Sequence, residues 1–229
     1  MISVLIPARN EAPNLPRLLQ RLREMPQIGE IIVADGGSDD QTVAVAEKLG
    51  AIVIEGARGR GAQQNAAAQR SSGEILWFLH ADSLPARGSG AQIEATLRRG
   101  ACGGNFRLKF EARGFWPRLF EQIARFQRIL GIYYGDSGVW VTREMWQQLG
   151  GFENWPLFED LDFARRLERL ACAQSRKTAC CAGRLRVSAR RFGPQPWRLL
   201  GFWLALQLGF QLGIAPDVLA RLYHGGNKR

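Results

Sequence analysis

Histidine and cysteine are scarce in this chain, two and four respectively among 229 residues. Cys102, Cys172, Cys180 and Cys181 form no CxxC pair and share no ligand-like spacing with the histidines. That excludes the common structural zinc motifs and reads as incidental thiols in a reducing, cytoplasmic interior. Glycine-rich phosphate loops are missing too. Neither G-x-G-x-x-G nor a P-loop occurs, and IPARNE, after the first apolar run, has no glycine. Those absences argue against dinucleotide enzymes, P-loop NTPases and nucleotidyltransferases. MISVLIPARNE carries no basic leader and no cleavage pattern, so its apolar run reads as a first strand rather than a signal peptide. Lysine is nearly absent, 27 of the 31 basic residues being arginine.

The net charge of +10 is unevenly spread. Residues 1–95 hold 9 Lys and Arg against 11 Asp and Glu, whereas residues 96–229 hold 22 against 10. Arg165–Arg198 is densest, with ten basic residues against Glu168 alone. Such a patch suits a phosphate-bearing substrate, an anionic membrane surface or nucleic acid, while an arginine bias on a solvated face is the plain alternative.

The apolar pattern predicts α/β architecture. Strands are expected at Ser3–Pro7, Glu30–Asp35, Ala51–Glu55 and Glu74–Leu79, with helices through Leu15–Leu22, Thr42–Leu49 and Gly61–Ser72 between them. Alternation of that kind implies parallel pairing in a doubly wound sheet, whose ligands bind beyond the carboxyl ends of the strands. Further on, residues 103–110 and Gly138–Val141 read as strands, and Phe115–Ile132 and Glu159–Ala171 as helices. Residues 1–192 are expected to form one domain and 193–229 a helical tail.

Three acidic stretches stand out. VADGGSDD (Val33–Asp40) sets Asp35 at a strand end before two glycines that let backbone approach a ligand; alone, it reads equally as a turn. WFLHADSLP (Trp77–Pro85) ends an apolar strand on His80, Ala81 and Asp82. Alone, Asp82 would cap the next turn and His80 would be a satisfied structural side chain. Two carboxylates at one rim, however, suit a hard cation, since magnesium binds through one or two carboxylates plus substrate phosphates. FEDLD (Phe158–Asp162), taken alone, reads as the capping of a helix N-terminus.

Together, IPARNE, ADGGSDD, GRGAQQNAAAQRSSGEILWFLHAD, GDSGVW, LGGF and PLFED, in this order and spacing, resemble a family 2 glycosyltransferase with the GT-A fold. The likeness extends to a small bacterial subgroup, some members of which are named as arsenosugar-biosynthesis transferases. It runs through Phe78–Asp82, Gly135–Gly138, Pro156–Asp160, Ser188–Phe192 and Leu212–Leu219, nearly the whole chain.

The resemblance implies a doubly wound, mostly parallel sheet and a sugar transferred with inversion from a UDP- or GDP-linked donor to a small-molecule or lipid acceptor. Pro7, Arg9, Glu11 and Ala81 would line the nucleotide pocket, Asp35 would meet the base, and Arg60 would lie beside the nucleotide. Asp82 would hold Mg²⁺ or Mn²⁺ against the diphosphate, and Asp160 would be the general base. Arg190–Phe192 reads either as a tract that closes over the diphosphate from the C-terminal side or as a solvated basic face, and no nucleic-acid partner is expected. The chemistry fits these residue types. A glycosyl diphosphate leaves as an anion that must be neutralised, and an acceptor hydroxyl needs a carboxylate to take its proton. The wider family carries Asp-x-Asp where this chain has His80 before Asp82. An imidazole can coordinate but adds no negative charge, so a weaker grip on the metal is expected. The alternatives are a polyprenyl-phosphate glycosyltransferase of the same fold and, from another class, a non-catalytic sugar-nucleotide-binding protein. Retention of Asp35, Asp82 and Asp160 argues against the last.

Residues 199–215, LLGFWLALQLGFQLGIA, contain no charge. Gly201, Ala205, Gly209 and Gly213 recur every four residues, a stripe that permits close helix packing. Three alternatives follow: an interfacial helix on the inner face of the plasma membrane, packing within the domain or a homodimer, or a short span. A single such segment excludes a channel or transporter.

Overall fold

The structure is a computed structural model that describes residues 1–188 and 195–226, including the side chains of all these except 224–226. Its N-terminal half alternates strand and helix as the pattern predicts: β1 (Ile2–Ala8), α1 (Leu15–Arg23), β2 (Ile28–Asp35), α2 (Thr42–Lys48), β3 (Ile52–Ile54), α3 (Arg60–Arg70) and β4 (Ile75–Phe78). Successive strand side chains point to opposite faces, so each strand feeds two cores. Val4, Ile6, Val33, Ile75 and Trp77 pack with Leu15, Leu18, Leu19 and Leu22 of α1. Leu5, Ile32, Leu76 and Phe78 pack on the other face with Ala67 and Ala68 of α3. Helices on both faces are the reason these strands are apolar throughout.

The second half is less regular. It comprises β5 (Ser83–Pro85), α4 (Ser89–Arg98), β6 (Ala101–Phe110), α5 (Phe115–Ile129), a 3₁₀ turn (Gly135–Ser137), β7 (Trp140–Thr142), α6 (Arg143–Leu149), α7 (Glu159–Ala173) and β8 (Lys177–Val187). All strands join one eight-stranded sheet in the order β3-β2-β1-β4-β7-β6-β8-β5. Strands β3, β2, β1 and β4 are parallel neighbours. Beyond β4 the sheet is mixed: β7 is antiparallel to both β4 and β6, β8 is parallel to β6, and β5 is antiparallel to β8.

The place of β5 is the consequential feature. It follows β4 after Leu79, His80, Ala81 and Asp82 alone, yet it forms the far edge, with Ser83 opposite Val187 and Pro85 opposite Leu185. A residue spans at most roughly 3.5 Å, so a connection this short requires the sheet to curl until its far edge returns to the end of β4. The His80–Asp82 turn, closed by the Ser83 N–H donating to the His80 carbonyl at 3.0 Å, bridges the two halves.

The uncharged C-terminal stretch is not one helix. Helix α8 (Pro196–Gln211) ends before Gly213, which has a φ of 85°, and Pro216 opens α9 (Pro216–Gly226). Among the described residues no helix is long and apolar enough to cross a membrane, so the short-span alternative is not met. The four-residue stripe is not one helical face either. Gly213 lies outside α8, and Gly201 faces open space. Gly209 alone is used for close packing, since a methyl group there would lie 3.1 Å from Leu219 Cδ2 of α9. The pair packs through Leu206, Leu219 and Ala220 onto Leu157, Phe158 and Leu161 at the start of α7. The expected boundary between residues 192 and 193, and the Arg190–Phe192 closure, lie outside the described residues.

One side chain fastens the rim of the parallel half. Gln63 of α3, 5% exposed, donates both amide hydrogens, to the Ala8 carbonyl at 2.9 Å and the Ala34 carbonyl at 2.7 Å. Gln63→Ala strips two buried carbonyls of their donor and is expected to cost about 1–3 kcal/mol. Urea unfolding checks this, and an unchanged midpoint would remove Gln63 from that role.

Candidate active site

Two of the motifs form one rim at the carboxyl ends of β1 and β2. The Asn10 N–H donates to Ser38 Oγ at 2.9 Å, and Asn10 Oδ1 accepts from the Asp39 N–H at 2.8 Å. The Glu11 N–H donates to Thr42 Oγ1 at 2.8 Å. IPARNE and ADGGSDD are thereby zipped together. Asp35, 2% exposed, turns its carboxylate into its own loop, where Oδ2 accepts from the Gly37 and Ser38 N–H groups at 2.9 Å and Oδ1 accepts from the Ser38 hydroxyl. Glu11 likewise accepts from the Asn14 side chain at the entry to α1. Pro7 is half-buried in β1, and Arg9 is exposed at the rim.

A second group of expected residues meets elsewhere. Arg60, His80, Asp82 and Asp160 line one cavity of about 320 Å³. Asp35, Pro7, Arg9 and Glu11 are not among its lining residues. Ala81 is also absent from the lining, because its methyl group packs in the core beneath the turn.

Asp160 is held by two backbone donors. It stands in the first turn of α7 and is 8% exposed. Its Oδ2 accepts from the Gly135 N–H at 2.8 Å, and its Oδ1 from the Leu161 N–H at 2.8 Å. Gly135 belongs to the GDSG stretch, and a methyl group on it would lie 3.0 Å from His80 Nε2 and 3.2 Å from Asp160 Oδ2. The absence of a side chain there therefore brings the His80 turn and the start of α7 together. Gly138, at φ 67°, fills a similar need: a methyl group would meet Leu185 Cδ2 at 2.9 Å and Leu79 Cδ2 at 3.0 Å. Phe158, just before α7, takes the left-handed φ of 66°, uncommon for a bulky residue. Its ring packs against Trp203 and Phe210 of α8.

Glu159 is the partner that sequence reasoning passed over. Its carboxylate, with only 2% of the side chain exposed, takes a fork from Arg60, Nε to Oε1 at 2.8 Å and Nη2 to Oε2 at 3.2 Å. Arg60 opens α3, where a cation opposes the helix dipole, and Glu159 offsets that from the N-terminus of α7. Burial, then the adjacent Asp160 carboxylate, push the Glu159 carboxyl from 4.5 up to about 7, against the pull of Arg60. Burial draws the Arg60 guanidinium down, and Glu159 and Asp160 more than reverse this. Glu159 itself does not line the cavity; Asp136, Tyr134 and Gln207 do, and were likewise passed over. The only sequence signal for Glu159 and Asp136 was their place inside PLFED and GDSG.

This curled mixed sheet, with its acidic cavity beyond β4, is the GT-A frame. The chain aligns with Pyrobaculum calidifontis mannosyltransferase PcManGT, solved with GDP-Man and Mn²⁺, at a TM-score of 0.69 and 21% identity, covering 97% of this chain and 68% of that one. S. aureus TarS, solved with UDP-GlcNAc, aligns at a TM-score of 0.67 and 18% identity, over 83% and 59% of the two chains. At these identities the likeness is one of fold. The family is set by sequence: the chain belongs to Glycosyl transferase family 2, whose model matches residues 3–187. Among curated relatives, the undecaprenyl-phosphate 4-deoxy-4-formamido-L-arabinose transferase of Pseudomonas aeruginosa is 30% identical over 156 residues, 60% of this chain and 45% of that protein. The 4,4'-diaponeurosporenoate glycosyltransferase of Staphylococcus haemolyticus is 48% identical over 52 residues, 23% of this chain and 14% of that protein. The chain thus spans less than half the length of these two relatives.

The Arg60–Glu159 fork makes a pH-dependent prediction. A folded carboxyl that holds its proton to about 7 while the unfolded one releases it near 4.5 contributes stability at low pH that is lost as pH rises through 7. Without Arg60 the buried Glu159 charge has no counterion. Arg60→Met is expected to destabilise by about 1–3 kcal/mol near pH 8, discounted for the partial exposure of the arginine, and by less near pH 6. Thermal melts at the two pH values check this; an equal loss at both would contradict the coupling.

Proposed function

We propose that the chain transfers a glycosyl group from a nucleoside-diphosphate sugar to an acceptor hydroxyl, inverting the anomeric carbon, with Asp160 as the general base. The observation that carries the reading is the meeting of Arg60, His80, Asp82 and Asp160 on one cavity in a member of family 2. In a single displacement the acceptor oxygen bonds to the anomeric carbon as the bond to the diphosphate breaks. One base and a neutralised leaving group suffice, with no covalent nucleophile.

Asp160 suits the base role because two backbone N–H groups fix its oxygens at the cavity wall. A divalent cation, Mg²⁺ or Mn²⁺, is the counterion in this reading, held by Asp82 with His80 beside it. Among the described residues no three His, Cys, Asp or Glu side chains are grouped to hold a metal. A carboxylate and an imidazole fit a cation that draws its remaining ligands from the diphosphate. When bound, that cation supplies charge neutralisation for the departing diphosphate. Pro7, Arg9, Glu11 and Asp35 form the nucleotide rim in this proposal, and Mn²⁺ alongside GDP-Man or UDP in structural neighbours is consistent with it.

Two substitutions separate the roles. Asp160→Asn is expected to retain nucleotide binding while transfer falls about 10²–10⁴-fold. Parallel loss of both would remove Asp160 from the base role. Asp82→Ala is expected to weaken UDP or GDP binding about tenfold and to abolish its enhancement by Mn²⁺ in calorimetry. Affinity indifferent to both metal and mutation would refute the metal assignment.

A further inference from the structure

The peptide group that holds Asp160 is itself held from behind. Its N–H, that of Gly135, donates to Asp160 Oδ2 at 2.8 Å. Its carbonyl, that of Tyr134, accepts from the Ser137 hydroxyl at 2.6 Å and from the Ser137 N–H at 3.0 Å. Ser137, 2% exposed, accepts in turn from Asn105 Nδ2 at 3.1 Å. Asn105 is a buried amide in β6 whose Oδ1 accepts from Arg128 Nε of α5 at 2.8 Å. Its Nδ2 also reaches the Phe106 carbonyl at 3.3 Å, so both amide hydrogens are used. Arg128 lies over the Tyr133 ring, donates from Nη2 to Thr178 Oγ1 at 2.8 Å, and pairs through Nη1 with Glu168 at 3.1 Å. Thr178 donates its own hydroxyl to Glu168 at 2.6 Å.

Glu168 and Asp160 belong to the same helix, α7, about two turns apart. The hydrogen bonds therefore form a ring, from Asp160 through the 3₁₀ turn, Asn105 and Arg128 to Glu168, and back along α7. Chemistry gives this ring one polarity. A guanidinium has donors only, so Asn105 presents its oxygen to Arg128 and its amino group to Ser137. That amino group has donors only, so Ser137 Oγ accepts there and directs its single hydrogen to the Tyr134 carbonyl. A carbonyl that accepts a hydrogen bond polarises its peptide, which strengthens donation from the Gly135 N–H. The charge of Arg128 is thus felt at the group that fixes Asp160. Neither Asn105 nor Ser137 lines the cavity that holds Asp160, so their influence on that carboxylate runs through the Tyr134–Gly135 peptide.

We infer that Asn105 and Ser137 are positioning residues: they aim and strengthen the Gly135 N–H that orients the Asp160 carboxylate for proton transfer. This rests on the reading of Asp160 as the general base.

Two substitutions break the polarity by different means. Ser137→Ala removes the hydroxyl but leaves the backbone hydrogen bond of the turn. Asn105→Asp keeps the shape and the Arg128 partner but puts an acceptor where the amino group was. The Ser137 hydroxyl then donates to that carboxylate and leaves the Tyr134 carbonyl.

The test uses the whole chain, ¹⁵N-labelled, with the Gly135 amide as the reporter. In both variants its proton resonance is expected to move upfield and its hydrogen exchange to quicken about 2–10-fold. In the transfer assay used for Asp160→Asn, kcat is expected to fall about 2–10-fold, with KM for the sugar nucleotide within about twofold. The double variant is expected to lose no more than either single one, because both act on one path. An unmoved Gly135 resonance overturns the inference. So does a moved resonance with kcat unchanged, a loss carried by KM, or additive losses in the double variant. If one variant unfolds, the other carries the same expectation; unfolding of both makes the two residues structural and overturns the inference as well. Full transfer by Asp160→Asn overturns the base reading instead, and the positioning role with it, whatever the Gly135 resonance does.

Discussion

The arrangement of the candidate active site depends on one backbone hydrogen bond, from the Gly135 N–H to the Asp160 carboxylate at 2.8 Å. It joins the 3₁₀ turn before β7 to the first turn of α7, elements that are distant in sequence. A glycine suits the position, since the space a methyl group would take is bounded by His80 Nε2 at 3.0 Å and Asp160 Oδ2 at 3.2 Å. The turn after β4, the turn before β7 and the start of α7 are thus held in a single geometry. Asp160 consequently has a fixed direction, both carboxylate oxygens accepting from backbone N–H groups.

The other constraint is topological. Because β5 follows β4 so closely and yet pairs with β8, the sheet must curl, and the His80–Asp82 turn becomes the hinge line of that curl. Once β8 is brought round, β6 and α5 form a wall that faces the carboxylates, and α8 completes it. The same helix packs Trp203 and Phe210 against Phe158, whose backbone is left-handed and which immediately precedes Glu159 and Asp160. Packing of the C-terminal pair therefore bears on the segment that carries the acidic residues, which ties α8 to the chemistry rather than leaving it as an appendage.

The parallel half was legible in the sequence because its strands are buried on both faces and read as unbroken apolar runs, with Leu15, Leu18, Leu19 and Leu22 marking α1 by their spacing. What stayed hidden was set by long-range pairing. Ser83–Pro85 is only three residues long and ends in proline, so nothing local marks it as a strand; it exists because Val187 and its neighbours pair with it. Strand β8 carries glycine, cysteine and arginine and shows no clean alternation. Its partner β6 is bulged, and the Gly104 backbone lies so close to the Ala179 carbonyl that no Cβ would fit. The break between α8 and α9 was written in Gly213 and Pro216, but the absence of charge across it made one continuous helix the simpler reading. Asp35 and Asp82 looked like one site because both end strands at one rim. Asp35 instead accepts hydrogen bonds from its own loop, which sequence does not reveal, and is not among the residues lining the cavity. Glu159 was overshadowed by its neighbour, since its importance comes from Arg60, a contact between the starts of α3 and α7.

The central claim is that the cavity shared by Arg60, His80, Asp82 and Asp160 receives the diphosphate of a sugar nucleotide. A crystal structure of the chain with UDP or GDP and Mn²⁺, with manganese located by anomalous scattering, tests it most directly. The account predicts a manganese peak bonded to Asp82 and to the diphosphate, with the nucleoside running toward Asp35 and Arg9 and Asp160 across the cavity from the diphosphate. A nucleotide bound away from this cavity, or a manganese site remote from Asp82, would contradict it.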